Sequence, residues 1–178
     1  MSAPKRTSVN TLIRPARSGD AESLRLIYNH AAKTSTATMD TEGRSPEQQR
    51  AWLETHNGAP YPALVAEVIE DKTVIGYAAL SLYNPKPGYA RTAETSVYLH
   101  QDWRGTGIGR ALLNSLIEDA RKRGFLCLVA LITADNEASL RLHRRCGFTD
   151  VGTMRRVGEK FGKEVDVTFL QMLLDETN

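Results

Sequence analysis

The chain has 178 residues, 41% of them hydrophobic, and 23 Lys and Arg against 21 Asp and Glu, a formal net charge of +2. That length suits one domain with a core that needs no staples. The basic residues are scattered, and their densest run, Arg121-Lys122-Arg123, falls where a helix ends and cations suit its dipole, so no nucleic-acid partner is expected. The longest apolar run, Phe125 to Ile132, is too short to span a bilayer. Cys127 and Cys146 form neither a C-x-x-C pair nor a zinc spacing, which implies two reduced, buried thiols, no metal and a cytoplasmic chain with no membrane contact.

Residues 1–10 lack an apolar core and are read as a flexible segment ahead of a domain over 11–175. Leu12 to Arg14 predicts a short strand, and Asp20 a cap for a helix whose Leu24, Ile27, Tyr28 and Ala31 recur at helical spacing. A Thr- and Ser-rich loop, Lys33 to Arg44, leads into Ser45-Pro46-Glu47-Gln48, which combines an N-cap, a first-turn proline and a capping-box partner. The helix that follows buries Trp52 and Leu53 and ends near Asn57-Gly58. Leu64 to Ile69 and Val74 to Tyr83, joined by Glu70-Asp71-Lys72-Thr73, read as an antiparallel hairpin.

A strand over Ala93 to Leu99 comes next, then a helix over Arg110 to Arg123 stopped by Gly124. Phe125 to Ile132 reads as a fully buried strand and Asn136 to Cys146 as a helix stopped by Gly147. Closing strands over Phe148 to Met154 and Val165 to Leu173 flank a loop at Gly158 to Lys163. A hairpin followed by β-α-β-α-β predicts an α/β (α+β) fold, a mixed sheet with helices on both faces.

Gln101-Asp102-Trp103-Arg104-Gly105-Thr106-Gly107-Ile108-Gly109-Arg110 runs from a strand exit through a glycine loop into a helix. Glycines at 105, 107 and 109 admit left-handed angles and close approach, so successive N–H groups can converge on one anion. The helix start adds unpaired donors and the positive end of its dipole. A diphosphate-bearing ligand is expected. ATP and GTP do not fit, because a Walker loop closes on Gly-Lys-Ser/Thr and here Gly109 is followed by Arg110-Ala111. A dinucleotide does not fit either, since its G-x-G-x-x-G opens a βαβ unit with an acidic residue about 20 positions on.

Strand, Arg104-Gly105-Thr106-Gly107-Ile108-Gly109, helix, buried strand and then Asn136-Glu137-Ala138-Ser139-Leu140-Arg141-Leu142-His143 resembles the GCN5-related N-acetyltransferases over almost the whole chain. Tyr28-Asn29-His30 with Thr36-Ala37-Thr38, Glu94-Thr95-Ser96-Val97-Tyr98-Leu99, Leu142-His143 and Lys160-Phe161-Gly162 resemble the phosphinothricin and methionine sulfoximine acetyltransferase branch. The resemblance implies a single domain with a mostly antiparallel sheet, acetyl-CoA as co-substrate, a small-molecule amine as acceptor, and a homodimer. It also implies that the backbone of Val97, Tyr98 and Leu99 pairs with pantetheine, that the pyrophosphate falls on Arg104, Gly105, Thr106, Gly107, Ile108, Gly109 and Arg110, and that Asn136 and Ser139 border the pantetheine arm. Asn136 also reads as a helix cap, and both roles are compatible.

Glu94 is the base candidate: in an extended strand it shares a face with Ser96 and Tyr98, opposite Ala93, Thr95, Val97 and Leu99. A carboxyl near ~4.3 is a poor base for an ammonium near ~10, so a water relay is expected. An oxyanion on the acetyl carbonyl would take a backbone N–H near Val97 to Leu99. His143 matches the branch's histidine at the position of a tyrosine thought to protonate the departing thiolate. It reads as general acid or proton relay, or as packing alone. Expected acceptor contacts are Tyr28, Thr36, Met39, Tyr83, Asn84, Thr95, Ser96, Thr133 and Lys160.

Two departures bear on the substrate. Relatives that acetylate amino-acid-like compounds often carry an aromatic-arginine pair where this chain has Tyr83-Asn84, and asparagine cannot clamp a carboxylate bidentately. Lys86 and Arg91 are the nearby charges left for that task. Glu164-Val165 stands where relatives often place an aromatic residue. The reading is an acetyl-CoA N-acetyltransferase acting on the α-amino group of a small amino-acid-like compound by direct transfer. The alternatives are another amine, such as a polyamine, an aminoglycoside or a protein N-terminus, or a catalytically silent CoA-binding module.

Overall fold

A computed structural model describes residues 9–58 and 60–174. Two strands set the architecture, β2 (Ala63–Val68) and β3 (Val74–Leu82), whose residues are apolar on both sides of the pleat. In β2, Ala63 and Val65 pack with one cluster of side chains while Leu64 and Ala66 pack with another, as in a sheet covered on both faces. The first cluster includes Leu24 and Ile27 of α1 (Ala21–Thr34) and Leu53 of α2 (Pro46–His56). The second includes Leu112, Leu113 and Leu116 of α3 (Ile108–Lys122) and Leu140 of α4 (Glu137–Arg145).

The other strands are β1 (Thr11–Pro15), β4 (Thr92–Leu99), β5 (Cys127–Thr133), β6 (Thr149–Lys160) and β7 (Lys163–Leu173). One sheet runs β1-β2-β3-β4-β5-β7-β6. Every pairing is antiparallel except β4 with β5, which is parallel. The mixed, mostly antiparallel sheet with helices on both faces is as the sequence implied.

Local signals held where their partners are local. Ser45 accepts from Gln48 N–H at 3.2 Å while Gln48 Oε1 accepts from Ser45 N–H at 2.7 Å, closing the expected capping box. Asp20 does not cap α1 with its side chain. It accepts from Arg17 N–H at 2.7 Å, and its two oxygens accept from Arg14 at 2.8 and 2.9 Å. The same guanidinium donates to Glu67 Oε2 at 2.8 and 2.6 Å, so a buried cation from β1 holds two carboxylates.

Other expectations needed correction. β5 is not fully buried, because α1 and α2 pack on β3 and β4 and leave its far face open; Leu131 is 40% exposed. The loop expected at Gly158 to Lys163 is a continuous hairpin whose two turn residues, Phe161 and Gly162, have φ of 53° and 69°, the angles of a tight primed turn. The ladder reaches that turn by a register shift between Met154 and Gly158, around Arg156 at φ 53°. Cys127 and Cys146 are free thiols, half-buried rather than buried. Of the segment 1–10, residues 1–8 lie outside the described residues, whereas Val9 packs on the core and Asn10 O accepts from Ile69 N–H at 3.0 Å. Residue 175, the expected domain end, also lies outside them.

Arg14→Met should cost about 3 kcal/mol or more by leaving two buried carboxylates without their cation, measured by chemical denaturation. Burial alone would raise the Asp20 carboxyl, but the bonds from Arg14 and Arg17 outweigh it and hold it below its ordinary 3.8. Its contribution is therefore complete above pH 3.8 and is lost as pH falls through the lowered value. In the variant that acid-dependent contribution should shrink.

Candidate active site

β4 pairs with β5 only over Thr92, Ala93 and Glu94, opposite Cys127, Leu128 and Val129, and then the two strands part. Thr95 Oγ1 donates to Val129 O at 3.2 Å at the vertex of the fork. On its other edge β4 stays paired with β3 to its end. His100 N–H donates to Ile75 O at 2.9 Å, which fixes the alternation of that antiparallel ladder. Tyr98, Ser96 and Glu94 turn their main-chain groups toward β3, so Val97 and Leu99 turn theirs toward the gap, free for an added strand-like ligand.

Below the fork lies the glycine loop. Gly105 and Gly107 have φ of 75° and 92°, and Gly107 is the N-cap of α3. Ile108 and Gly109 N–H, in the first turn, have no intrahelical acceptor. Gly109 is helical, not left-handed; a Cβ there would stand 3.3 Å from a methyl of Leu99 and 3.4 Å from one of Leu142. Its role is the close approach of α3 to β4 and α4.

A cleft of about 660 Å³ runs from the fork over this loop. Val97, Tyr98, Leu99, Arg104, Gly105, Gly107, Gly109, Arg110, Asn136 and Ser139 line it, together with Arg141 and Arg145. Thr106 and Ile108 are not among its lining residues: Thr106 Oγ1 donates to Trp103 O at 2.7 Å, and Ile108 is buried in the core. Asn136 caps α4, its Oδ1 accepting from Ser139 N–H at 3.2 Å, which leaves its amide N–H groups as donors. Arg104, Arg110 and Arg145 have no carboxylate within 4 Å among the described residues, so the cleft is basic.

Glu94, Ser96 and Tyr98 lie on the α1/α2 face of β4, as the alternation predicts, and Tyr98 packs with that cluster. Glu94 stands opposite Ser81, Ser96 opposite Ala79 and Tyr98 opposite Tyr77. Small residues thus form a floor between the carboxylate and a stack of tyrosines whose centroids are 5.3 Å apart. Burial pushes the Glu94 carboxyl above its ordinary 4.5. Tyr28 meets Tyr98 edge-on at 5.2 Å, and its hydroxyl bonds Thr38 Oγ1 at 3.0 Å and the Asp40 carboxylate.

His143 is buried and does not line the cleft. Its Nδ1 lies 2.9 Å from Ser139 O, and a carbonyl can only accept, so the proton sits on Nδ1 and Nε2 carries the lone pair. Nε2 has no partner among the described residues. Burial lowers its pKa below 6.5. The group as built is a neutral proton acceptor, not a charged acid.

The remaining expected contacts divide. Thr36 Oγ1 donates to Asp135 at 2.8 Å and accepts from Thr133 Oγ1 at 3.2 Å, tying the loop after α1 to the end of β5. Lys160 Nζ donates to Thr38 O at 2.6 Å, and a Cβ at Gly158 would collide with Met39, so the β6–β7 hairpin clamps that loop. A second cleft of about 630 Å³ on the hairpin side is lined by Thr36 and Lys160. Thr95 secures the fork instead of facing the acceptor side. Tyr83 and Asn84 line neither cleft: Tyr83 packs on Tyr89 at 5.5 Å, and Asn84 Oδ1 accepts from Lys86 N–H at 3.0 Å.

Residues that sequence reasoning missed sit at the two ends of that floor, His56 beside Ser81 opposite Glu94 and Arg44 at the tyrosine end. His56 Nε2 lies 3.2 Å from Ser81 Oγ and its ring stacks on Trp52 at 3.9 Å; Arg44 lies over Tyr28 at 3.8 Å. No local pattern marks them, since they meet only through the fold. Among the described residues no group of three or more His, Cys, Asp or Glu could hold a metal ion, and no helix is long and apolar enough to cross a membrane.

The Acetyltransferase (GNAT) family profile matches residues 24–148. The chain is 42% identical over 164 residues to the L-amino acid N-acyltransferase MnaT of Escherichia coli, covering 92% of this chain and 94% of that one. It is 41% identical over 165 residues to an L-methionine sulfoximine/L-methionine sulfone acetyltransferase of Pseudomonas aeruginosa, with 93% and 95% covered. Among solved structures, yncA of Salmonella typhimurium, determined with its cofactor acetyl-CoA, superposes with a TM-score of 0.90 at 40% identity, covering 95% of this chain and 96% of that one. With the forked sheet, the glycine-loop cleft and about 40% identity over nearly the full length in agreement, this chain belongs to the GNAT acetyltransferase family and is an acyltransferase.

Proposed function

We propose that the chain is an acetyl-CoA-dependent N-acetyltransferase acting on the α-amino group of a small amino-acid-like compound, by direct transfer between two bound substrates. One observation carries this reading: the fork between β4 and β5 lets a ligand on the basic cleft reach the strand whose opposite face presents Glu94. The residues fit coenzyme A. Its linked phosphates suit the N–H groups at the start of α3 with Arg104 and Arg110, and its amide-bearing arm suits the free edge at Val97 and Leu99. The Asn136 amide adds a donor beside that arm. When bound, acetyl-CoA supplies an activated acetyl group and a thiol leaving group.

The protein's own part is proton traffic and orientation. Glu94, with its carboxyl raised by burial, accepts the ammonium proton through water, since even a raised carboxyl lies far below an amine near ~10. His143 Nε2 is a second acceptor on the α4 side and serves as a relay rather than an acid, because burial disfavours its protonated form. Val97 or Leu99 N–H supplies a donor to developing charge on a carbonyl oxygen. Tyr28, Ser96 and the loop held by Thr36, Thr133 and Lys160 wall the acceptor.

We also propose that the enzyme is a cytoplasmic homodimer. The open face of β5 and β7 carries Leu131 and Leu173, 40% and 43% exposed, while the reverse face of the same strands is buried as Leu128, Ile132 and Leu170. Such an apolar sheet face suits a second copy.

Thiol release from acetyl-CoA, screened against L-methionine sulfone, methionine sulfoximine, phosphinothricin, common amino acids, spermidine and an aminoglycoside, tests the function. Preference for an amine without a carboxylate would reject the amino-acid reading. Glu94→Gln should lower kcat by about 10² with acetyl-CoA affinity kept. Because the unprotonated carboxylate is required, activity should fall as pH drops below a value above 4.5, and that limb should vanish in the variant. His143→Ala should alter the limb below pH 6.5; an unchanged profile would make His143 a packing residue. Gly107→Val should weaken acetyl-CoA binding about tenfold or more by calorimetry, since a β-branched residue resists φ near 92°. Sedimentation should give twice the mass of one chain, and a single-chain mass would remove the dimer.

A further inference from the structure

Resting on that reading, an amino-acid acceptor needs a cation for its carboxylate, and the residues near the expected clamp do not supply one. Asn84 is neutral and holds the turn to Lys86. Arg91 is directed to the C-terminus of α3, its Nε donating to Gly124 O at 2.9 Å. Lys86 is exposed. Lys160 is buried with its ammonium on Thr38 O, on the far side of the loop.

Arg44 is different. Its guanidinium lies 3.8 Å over the Tyr28 ring and 5.0 Å from that of Trp52. Trp52 meets Tyr77 at 5.7 Å, Tyr77 meets Tyr98 at 5.3 Å, and Tyr98 meets Tyr28 at 5.2 Å. Arg44 therefore closes a ring of aromatic side chains at the tyrosine end of the floor whose other end is Glu94. Among the described residues it is the sole arginine that is neither exposed nor within 4 Å of a carboxylate. Of the other two described arginines that are not exposed, Arg14 is matched by two carboxylates and Arg25 by Glu22.

The position is fixed in advance. The Asn29 amide donates to Arg44 O at 2.9 Å and accepts from its N–H at 2.7 Å, and Gly43 leaves room for that amide, since a Cβ there would collide with it. Gln49 Oε1 accepts from Arg44 Nη1 at 3.2 Å. Stacking uses the face of the guanidinium and leaves its remaining edge N–H groups for an anion, in the fork that matches a carboxylate.

We infer that Arg44 is the specificity-determining residue that binds the carboxylate of an α-amino-acid acceptor, replacing the arginine absent at Asn84. The aromatic ring holds the guanidinium at one end of the small-residue floor, and Glu94 receives the proton of the amine at the other.

The test compares kcat/KM for L-methionine sulfone and for its carboxamide, which keeps the amine and loses the charge, in the wild type, Arg44→Gln, Arg44→Lys and Lys160→Gln. Acceptor affinity is measured in parallel by calorimetry. The wild type should prefer the acid, and Arg44→Gln should lose that preference by about 10- to 100-fold through acceptor KM and Kd. Acetyl-CoA affinity should be kept, and Arg44→Lys should recover part of the preference. A purely structural role would lower thermal stability and leave the acid-to-amide ratio unchanged, which overturns the inference. So does loss of the ratio in Lys160→Gln while Arg44→Gln keeps it. A wild type that treats acid and amide alike, or acetylates neither, rejects the amino-acid reading itself and the inference with it.

Discussion

Everything at this site depends on where β4 and β5 stop pairing. A parallel pair carried to its end would satisfy the main-chain groups of Val97 and Leu99 and seal the sheet. Instead the ladder ends after Glu94 and Val129, closed by a side-chain bond from Thr95 in place of the next backbone bond. The opening needs support from below, because parted strands leave core surface to be covered. Leu99 and Leu142 supply it by approaching Gly109, where a side chain would force them back. The glycine loop thus joins two functions: left-handed angles at 105 and 107 present N–H groups, and the bare helical position at 109 lets the fork sit on α3.

The two faces of the fork differ in chemistry. The cleft below is basic, with exposed arginines at its rim that act as screened charges toward phosphates. The acceptor face above is neutral and largely aromatic. Burial acts in one direction on Glu94 on that face and on His143 on the α4 side: it raises the first and lowers the second, so each is pushed toward its uncharged form. Arg44 is the exception to that neutrality, and the ring faces of Tyr28 and Trp52 offset part of the cost of holding its charge out of water.

How much could be read beforehand follows the range of each interaction. Ser45 and Gln48 are three residues apart, so their capping box is visible in the sequence. The face shared by Glu94, Ser96 and Tyr98 is visible because strand alternation is local. Asp20 looked like a cap because its true partner, Arg14, also answers to Glu67, 53 positions away. Gly109 looked like Gly105 and Gly107, and only the packing of three elements separates their roles. Half-exposed β5 looked fully buried because its residues are apolar on the open face as well. Arg44 and His56 carry no local signature; their surroundings come from α1, α2, β3 and β4.

The loop after α1 stands between the two clefts described above, and the way it is held differs from the rest of the fold. Ser35, Thr36 and Asp135 border both clefts. No ladder fixes this wall; Thr36 to Asp135, Lys160 to Thr38 and the Asn29 amide to Arg44 do so through side chains. Such contacts open at lower free energy than a core ladder. The cofactor cleft, by contrast, is built from β4, α3 and α4, whose apolar sides lie in the larger core cluster. Substitutions in the wall can therefore change which amine is accepted while the sites for phosphate and pantetheine keep their geometry.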